Sequence, residues 1–256
     1  MAHTYGIEFE VIGLNPRQSA QAVTNAGLTC TAVDYGHTTQ PVWKSLRDGS
    51  LPDNSSEIVS PILDDSRLNE MKTVTRALLG AGARVTRSAG FHAHLGLDGI
   101  GSDALPQLIL NWYAVHSYTE LLVAPSRRTG GSSARWCRAM GVETAERRAE
   151  AVRDRNYDCA NADRYFSLNL NAIARHGTVE FRLHQGTLNG AKASAWVEYL
   201  TAFANHAMQG EEFRLNEFHD GEFGLAYLLE SLKPHGLTDS TGEYLLARAN
   251  ELSERV

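Results

Sequence analysis

Three short segments of the chain place pairs of charged or imidazole side chains two residues apart, with apolar residues between them. The pairs are Glu8 and Glu10, His92 and His94, and Glu180 and Arg182. In a β-strand, successive side chains point to opposite faces, and residues two apart lie about 6.5–7 Å apart on one face. Each segment is therefore predicted to be a strand with one apolar face and one face able to hold a metal ion or a phosphate.

A further predicted strand, 57–61, carries Glu57. If Glu57 and Glu180 lie on strands adjacent to that of Glu8 and Glu10, about four carboxylates converge, and like charges at such distances raise pKa values. Hard divalent ions such as Mg²⁺ neutralise such a cluster through oxygen ligands. Each pair by itself also fits an ordinary role, as a solvated polar face, hydrogen-bonded histidines or an ion pair. Their joint occurrence on separate strands favours the metal site.

The remaining pattern predicts the elements that position these residues. Strands are predicted at 5–14, 28–34, 42–47, 57–61, within 84–97, at 164–170 and at 177–184, with 28–34 and 42–47 as an antiparallel pair. Helices are predicted at 16–26, with Asn15 as the N-cap, and at 66–80, 103–124, 142–155, 192–208, 221–232 and 241–253. This mixture predicts one α+β domain over residues 1–256, in which helices cover the apolar face of a sheet.

The segment 126–134 has no periodicity and is rich in glycine and serine, which is typical of a loop. It contains Arg127 and Arg128, and we expect it to be a mobile lid.

Composition limits the class of protein. The net charge is −6 and no run of basic residues is present, so the sequence indicates no positively charged surface for binding nucleic acid. Three scattered cysteines without a C-x-x-C pair favour a reducing compartment. The longest uncharged run, 104–119, is too short and too polar to span a bilayer, and no secretory signal is visible. We expect a cytoplasmic protein without a membrane partner.

Other residues that could do chemistry receive ordinary interpretations. The histidines at 176, 184 and 206 are expected at surfaces or helix ends, without an assigned role. The four tryptophans are expected to pack in the core or at an interface.

An ordered series of short motifs links the chain to a known family. The motifs are Gly6-x-Glu8-x-Glu10, Asp48-Gly49-Ser50-Leu51, Glu57-x-Val59-Ser60-Pro61, Gly90-Phe91-His92-x-His94, Pro125-x-Arg127, Arg164-Tyr165 with Asn169 and Asn171, and 178–182 followed by Gly186-Thr187. In this order the chain resembles the amidoligases, a branch of the carboxylate-amine ligase superfamily that includes glutamine synthetase and glutamate-cysteine ligase. The resemblance covers roughly residues 5–190.

The resemblance implies a fold and an activity. The fold is a curved antiparallel sheet with helices on its convex face, like the glutamine synthetase catalytic domain. The activity is ADP-forming synthesis of an amide or peptide bond through an acyl phosphate, with ATP and two or three Mg²⁺ or Mn²⁺ ions on the concave face. The substrates are a carboxylate and an amine, as small molecules or peptides, whose identity the motifs do not specify. The oligomeric state is equally undetermined.

The resemblance also assigns roles to individual residues. The metal ligands are Glu8 and Glu57 for one ion, and Glu10, His92 and Glu180 for another. Nucleotide phosphate is contacted by His94 and Arg182, while phosphate or substrate carboxylate is bound by Arg127 and Arg164, with Arg128 as the alternative to Arg127. Asp48 is an extra ligand or a substrate contact. Catalysis rests on Glu8, Glu180 and Arg182.

Three other functions compete with this interpretation. A phosphotransferase could use the same sheet and the same ions, because a family with this architecture phosphorylates guanidines. A zinc hydrolase could be built on His92 and His94, although such a site leaves Glu8 and Glu10 unexplained. A ligase-like fold could also serve as a binding module without turnover.

Overall fold

Alternating apolar residues form the central strands of the protein. The structure, a computed structural model, describes residues 3–34, 36, 38–160, 163–213 and 221–254. Its strands are β1 (Tyr5–Ile12), β2 (Cys30–Ala32), β3 (Trp43–Leu46), β4 (Ser55–Val59), β5 (Phe91–Gly96), β6 (Leu168–Asn169) and β7 (Thr178–Phe181). Within the described residues they form one seven-stranded sheet in the order β2-β3-β4-β1-β5-β7-β6. The three segments with paired functional residues therefore lie on neighbouring strands, β1, β5 and β7.

Most strand pairs are antiparallel, but the sheet is mixed. β1 lies antiparallel between β4 and β5, β7 lies antiparallel between β5 and β6, and β3 is antiparallel to β4. β2 and β3 run parallel, so the antiparallel pairing predicted for 28–34 and 42–47 is wrong. The connection 33–42 is longer than a tight hairpin turn, and it returns the chain to the end of the sheet at which β2 starts.

The helices are α1 (Pro16–Asn25), α2 (Glu70–Gly80), α3 (Leu97–Ile100), α4 (Leu105–Ala114), α5 (His116–Leu121), α6 (Val142–Arg153), α7 (Tyr157–Ala160), α8 (Asn171–His176), α9 (Gly190–Met208), α10 (Glu222–Leu232) and α11 (Asp239–Ser253). The mixed α+β class is confirmed. The first helix begins where its sequence predicted, because the Asn15 side chain accepts a hydrogen bond from the backbone of Gln18, and the Gln18 side chain returns one to Asn15.

Three predicted elements differ from the observed ones. The helix predicted at 103–124 is divided into α4 and α5 at Val115, whose φ of −103° leaves the helical range and whose β-branched side chain has low helix propensity. The segment before β5 contributes an isolated bridge between Arg84 and Ile12 instead of a strand. Of the strand predicted at 164–170, Leu168 and Asn169 join the sheet.

One face of the sheet forms the hydrophobic core. The apolar residues of the central strands, and Leu183 just after β7, are buried. The strand residues include Ile7, Phe9, Val11, Phe91, Ala93, Leu95, Val179 and Phe181. Against the sheet, α1 packs on β3 and β4, and α9 packs on β5. Three tryptophans, Trp43, Trp112 and Trp196, are buried in this core as predicted, whereas Trp136 lines a cavity on the other face. No helix among the described residues has the length and apolar character needed to cross a membrane.

The segment 126–134 is a loop, as predicted, and contacts in the structure hold both of its ends. Arg127 is 1% exposed, and the Ser133 hydroxyl donates a hydrogen bond to the carbonyl of Arg87. Gly131 packs so closely against the backbone of residues 125 and 126 that a Cβ would lie 2.3 Å from the Pro125 carbonyl oxygen. The role of this loop as a mobile lid stays a prediction.

Two histidines that were expected at the surface or at helix ends are buried. His184, just after β7, donates a hydrogen bond from Nδ1 to the Gln185 carbonyl, and burial lowers its pKa to about 3. His206 does lie in the last turn of α9, but it is only 3% exposed. Burial of both rings follows from tertiary packing that the local sequence pattern does not reveal.

Candidate active site

The polar face of the sheet forms the floor of a cavity of about 1090 Å³. This volume is large enough for a nucleotide-sized ligand. All sequence-predicted site residues line it: Glu8, Glu10, Asp48, Glu57, His92, His94, Arg127, Arg164, Glu180 and Arg182. The structure therefore brings together residues that lie up to 174 positions apart in the chain.

Strand register sets which of these residues are neighbours. On β1, Glu8 lies opposite His92 of β5, and Glu10 lies opposite Glu57 of β4. On the other side of β5, His94 lies opposite Glu180 of β7. Residues directly opposite in antiparallel strands have Cβ atoms about 4.5–5.5 Å apart, so each pair is in contact range.

Glu8 lies between the two histidines. Its Oε2 is 3.1 Å from His92 Nδ1, and its Oε1 is 3.4 Å from His94 Nε2. Burial by itself would raise the pKa of Glu8, but its close contacts and charge interactions with His92 and His94 outweigh burial and place this pKa well below its ordinary value. Glu8 is therefore a carboxylate at neutral pH.

The ligand atoms of the cluster form three overlapping groups in which all atoms lie within 4.8 Å of one another. These groups are Glu8, Glu57 and His92; Glu8, His94 and Glu180; and Glu10, Asp48 and Glu57. The grouping differs from the division that the family resemblance implies. Glu10, His92 and Glu180, which the resemblance assigns to one ion, each lie in a different group. His94 lies with Glu8 and Glu180, and Asp48 lies with Glu10 and Glu57.

Two observations show that this donor set fits divalent cations. Burial and the nearby carboxylates of Glu8 and Glu10 hold the pKa of Glu57 well above its ordinary value. The buried Nε2 atom of His94 is near Glu8 without hydrogen-bond geometry, and it has no hydrogen-bond partner among the described residues. A hard divalent ion would favour ionisation of Glu57 and could accept the lone pair of His94.

The raised pKa of Glu57 leads to a stability prediction for the metal-free protein. Because the folded state retains the proton more strongly than the unfolded chain, this group's contribution to stability is full below the ordinary pKa near 4.5 and declines as the pH rises above it. Glu57→Gln removes this decline. We expect the variant to become more stable than the wild type as the pH rises from 5 to 8. The gain is about 1.4 kcal/mol for each pH unit that lies between the ordinary and the raised pKa of Glu57.

The measurement is denaturant unfolding of both proteins in chelator across this pH range. Glu146→Gln, an exposed change on α6, is the matched control and should show no pH-dependent difference from the wild type. Added Mg²⁺ should stabilise the wild type more than Glu57→Gln. A wild-type/Glu57→Gln difference that is independent of pH would contradict the prediction.

Neighbouring groups hold the cluster in place. The backbone amide of Gly90 donates to Glu10 Oε2 at 2.6 Å, and the Asn169 amide donates to Glu180 Oε2 at 2.5 Å. The Thr178 hydroxyl lies 3.0 Å from His94 Nδ1. Such contacts orient ligand side chains and maintain their geometry.

Sequence reasoning assigned no role to Thr178 or Gly90. For Thr178 a signal was present, because residues 178, 180 and 182 alternate onto the same strand face. Gly90 is required by a close approach, since a Cβ at this position would lie 2.5 Å from His92 Nε2. That approach depends on the orientation of the His92 ring, which contacts Glu8 through Nδ1.

Arg182 supplies the positive charge at the cavity. It forms an ion pair with Glu180, and its Nε donates to the carbonyl of Trp136 at 3.5 Å. Burial would lower its pKa, but the charges of Glu180 and Glu8 outweigh burial and raise it. The guanidinium is therefore permanently charged and faces the carboxylate cluster.

The other arginines differ in their surroundings. Arg127 donates to the carbonyl oxygens of Arg182, at 2.6 Å, and Leu183, at 3.3 Å, so its guanidinium holds the chain that follows β7. Arg128 donates to the carbonyl oxygens of Val123 and Leu121 instead. Of the two candidates in the loop, Arg127 is the one that lines the cavity.

Arg164 lies at the exposed rim of the cavity, with its guanidinium 5.1 Å from the centre of the Tyr165 ring. Tyr165 in turn contacts Trp136 edge-on, with ring centroids 5.2 Å apart. These two aromatic rings form part of the cavity wall.

Comparison with solved structures finds a similar fold in a bifunctional glutathione synthetase from Pasteurella multocida. The TM-score is 0.50 and the sequence identity is 13%, with 98% of this chain and 47% of that chain covered. The chain thus spans about half the length of this structural neighbour. A search of curated proteins found no match.

A family model provides the sequence comparison. The model described as "Putative amidoligase enzyme" matches residues 2–204, which include every residue of the candidate site. The match covers most of the chain, and the protein belongs to this amidoligase family.

Proposed function

We propose that the protein is an ATP-dependent ligase that joins a carboxylate to an amine, forms ADP, and proceeds through an acyl phosphate. The observation that carries the proposal is the gathering of carboxylates, two imidazoles and Arg182 on one face of the sheet, in a cavity of about 1090 Å³. Family membership supports a ligase. The glutathione synthetase neighbour is named for the synthesis of a peptide, which agrees with amide-bond formation.

The finer fold assignment is part of this proposal. A polar face that forms a cavity and an apolar face covered by helices are the arrangement expected of the glutamine synthetase catalytic domain. We assign the cavity to the concave face of the sheet and the helices to the convex face.

The proposed metal ligands are Glu8, Glu10, Glu57, His92 and Glu180. We add His94 and Asp48, because their ligand atoms lie within 4.8 Å of those in two of the three groups. When bound, Mg²⁺ or Mn²⁺ ions would neutralise the charge of the nucleotide phosphates. The protein's own contribution is a set of oxygen and nitrogen donors that strand register holds in position.

In the first step, an oxygen of the substrate carboxylate attacks the γ-phosphorus of ATP. The bond to the β–γ bridging oxygen breaks, and ADP leaves. Arg182 stabilises the negative charge that spreads over the transferred phosphoryl group. Arg127 supports this role by holding the backbone of Arg182, and Arg164 at the rim binds phosphate or the substrate carboxylate.

In the second step, the amine nitrogen attacks the carbonyl carbon of the acyl phosphate. The carbon–oxygen bond to phosphate breaks, inorganic phosphate leaves, and the nitrogen loses a proton. Water must be excluded while the acyl phosphate exists. The cavity walls formed by Trp136 and Tyr165 provide apolar cover on one side.

The test is ADP release measured over a panel of carboxylates and amines in the presence of Mg²⁺. A ligase releases inorganic phosphate only when both substrates are present, and hydroxylamine traps its acyl phosphate as a hydroxamate. A phosphotransferase releases ADP without amine-dependent phosphate, and a zinc hydrolase at His92 and His94 needs no nucleotide. Either of these last results would overturn the proposal.

A further inference from the structure

A second group of ligand-type side chains lies away from the cavity, in the C-terminal part of the chain. It consists of His206 in the last turn of α9, Glu211 in the segment that follows, and His235 in the 3-10 turn (Lys233–His235) before α11. None of the three lines the cavity, and all lie beyond residue 204, where the family match ends. The proposed ligase chemistry does not use them.

The distances within this group match those of a transition-metal site. Glu211 Oε2 lies 3.8 Å from His206 Nε2 and 3.5 Å from His235 Nε2, and the three ligand atoms all lie within 4.8 Å of one another. With metal–ligand bonds of about 2.0–2.1 Å, adjacent ligands of a tetrahedral ion lie about 3.4 Å apart. Small movements of the Glu211 and His235 side chains would therefore close the group around one ion.

The two imidazole rings are held by packing. His206 stacks on Phe213 with ring centroids 4.1 Å apart and planes 3° from parallel, and His235 meets His206 edge-on at 4.8 Å. The His235 backbone carbonyl also accepts a hydrogen bond from Asn205. The Glu211 side chain, by contrast, is 53% exposed. Two fixed nitrogens and one carboxylate reachable from solvent give an ion both preformed ligands and an entry path.

We propose that His206, Glu211 and His235 bind a zinc-like divalent ion. Two imidazoles and one carboxylate are a donor set that zinc, cobalt and nickel prefer, whereas Mg²⁺ favours oxygen ligands. Three protein ligands leave a coordination position for water. The ion links α9 to the turn before α11 and fastens the C-terminal helices to the helix that packs on the sheet.

Asn111 couples the ion to the surrounding structure. Its Nδ2 lies 3.3 Å from His206 Nδ1 and 2.8 Å from the Glu211 carbonyl oxygen, so the amide donates to both. An ion on Nε2 of His206 leaves the ring proton on Nδ1, where it needs an acceptor. A turn of the Asn111 amide would present Oδ1 to this proton, at the cost of the hydrogen bond that Oδ1 accepts from Gln107 and of the contact to the Glu211 carbonyl.

The experiment is a titration of the chelator-treated, full-length protein with Zn²⁺ and with Co²⁺, followed by calorimetry, thermal unfolding and the visible absorption of Co²⁺. The variants are His235→Gln and Glu211→Gln, and Glu212→Gln is the matched control beside the site. Glu8→Gln is included to separate this site from the cavity. We expect the wild type, Glu212→Gln and Glu8→Gln to bind an ion that His235→Gln and Glu211→Gln lose.

Zn²⁺ should also raise the unfolding temperature of the wild type more than that of His235→Gln, in which the cavity ligands alone remain to bind it. Equal zinc stoichiometry and equal stabilisation in the wild type and both site variants would overturn the proposal. If His235→Gln fails to fold, Glu211→Gln decides, because its side chain is half exposed and its replacement leaves the packed rings intact.

Discussion

Replacing Glu8 by glutamine is expected to abolish ADP release while leaving the protein folded. Glu8, like Glu57, belongs to two of the three ligand groups, and it also contacts both histidines of β5. Loss of an outer contact to a metal ligand commonly costs roughly 10–100-fold in affinity or activity. Glu8 is itself a proposed ligand shared by two groups, so we expect the loss of activity on removal of its charge to exceed about 100-fold.

The fold is expected to survive this change because two electrostatic effects oppose each other. The variant loses the favourable interaction of the Glu8 carboxylate with His92 and His94. In the wild type this interaction lowers the pKa of Glu8. It also removes one of the charges that raise the pKa of Glu57. Glutamine has nearly the same shape, so the apolar face of β1 keeps its packing.

The measurements are ADP release, Mg²⁺ binding by calorimetry and thermal unfolding, with the exposed Glu146→Gln as the matched control. We expect Mg²⁺ affinity and turnover to fall together in Glu8→Gln and to remain unchanged in Glu146→Gln. Turnover close to that of the wild type in Glu8→Gln would remove this residue from the proposed metal site. Unfolding of the variant at room temperature would contradict the electrostatic argument.

Replacing Arg182 by alanine is expected to lower turnover by about 10²–10³-fold, the range found when one preorganised donor to a developing negative charge is removed. The reason is position as well as charge: Arg182 directly follows β7 and pairs with Glu180, and Arg127 donates a hydrogen bond to its carbonyl oxygen. Its raised pKa keeps the guanidinium charged at any working pH. We expect the loss in kcat, because the phosphoryl charge spreads in the transition state.

Arg182→Lys separates charge from geometry. A lysine keeps the positive charge but lacks the planar fork that can bind two oxygens at once, so it should restore only part of the lost activity. Removal of Arg182 also takes a counter-charge from Glu180, although His94 and His92 still lower the pKa of that carboxyl. Undiminished kcat in Arg182→Ala would refute the assigned role, and full activity in Arg182→Lys would show that charge alone suffices.

Much of the site could be predicted from local sequence. Alternation assigned Glu8, Glu10, His92, His94, Glu180 and Arg182 to the polar face, because strand geometry sends neighbouring side chains to opposite faces. The same alternation placed Ile7, Phe9, Phe91 and Phe181 in the core, where they are buried. Strong capping signals, such as that of Asn15, likewise predicted where α1 begins. These features depend on residues within a few positions of one another.

Tertiary structure decided which of those residues meet. The order and register of strands far apart in the chain place Glu10 opposite Glu57 and His94 opposite Glu180. The parallel pairing of β2 with β3, the use of Arg127 to hold the backbone of Arg182, and the meeting of His206 with His235 have the same origin. Local pattern specifies the face on which a side chain lies. Which residues become its neighbours on that face depends on how all the strands and helices pack together to bury the core. The sequence of one segment does not contain that information.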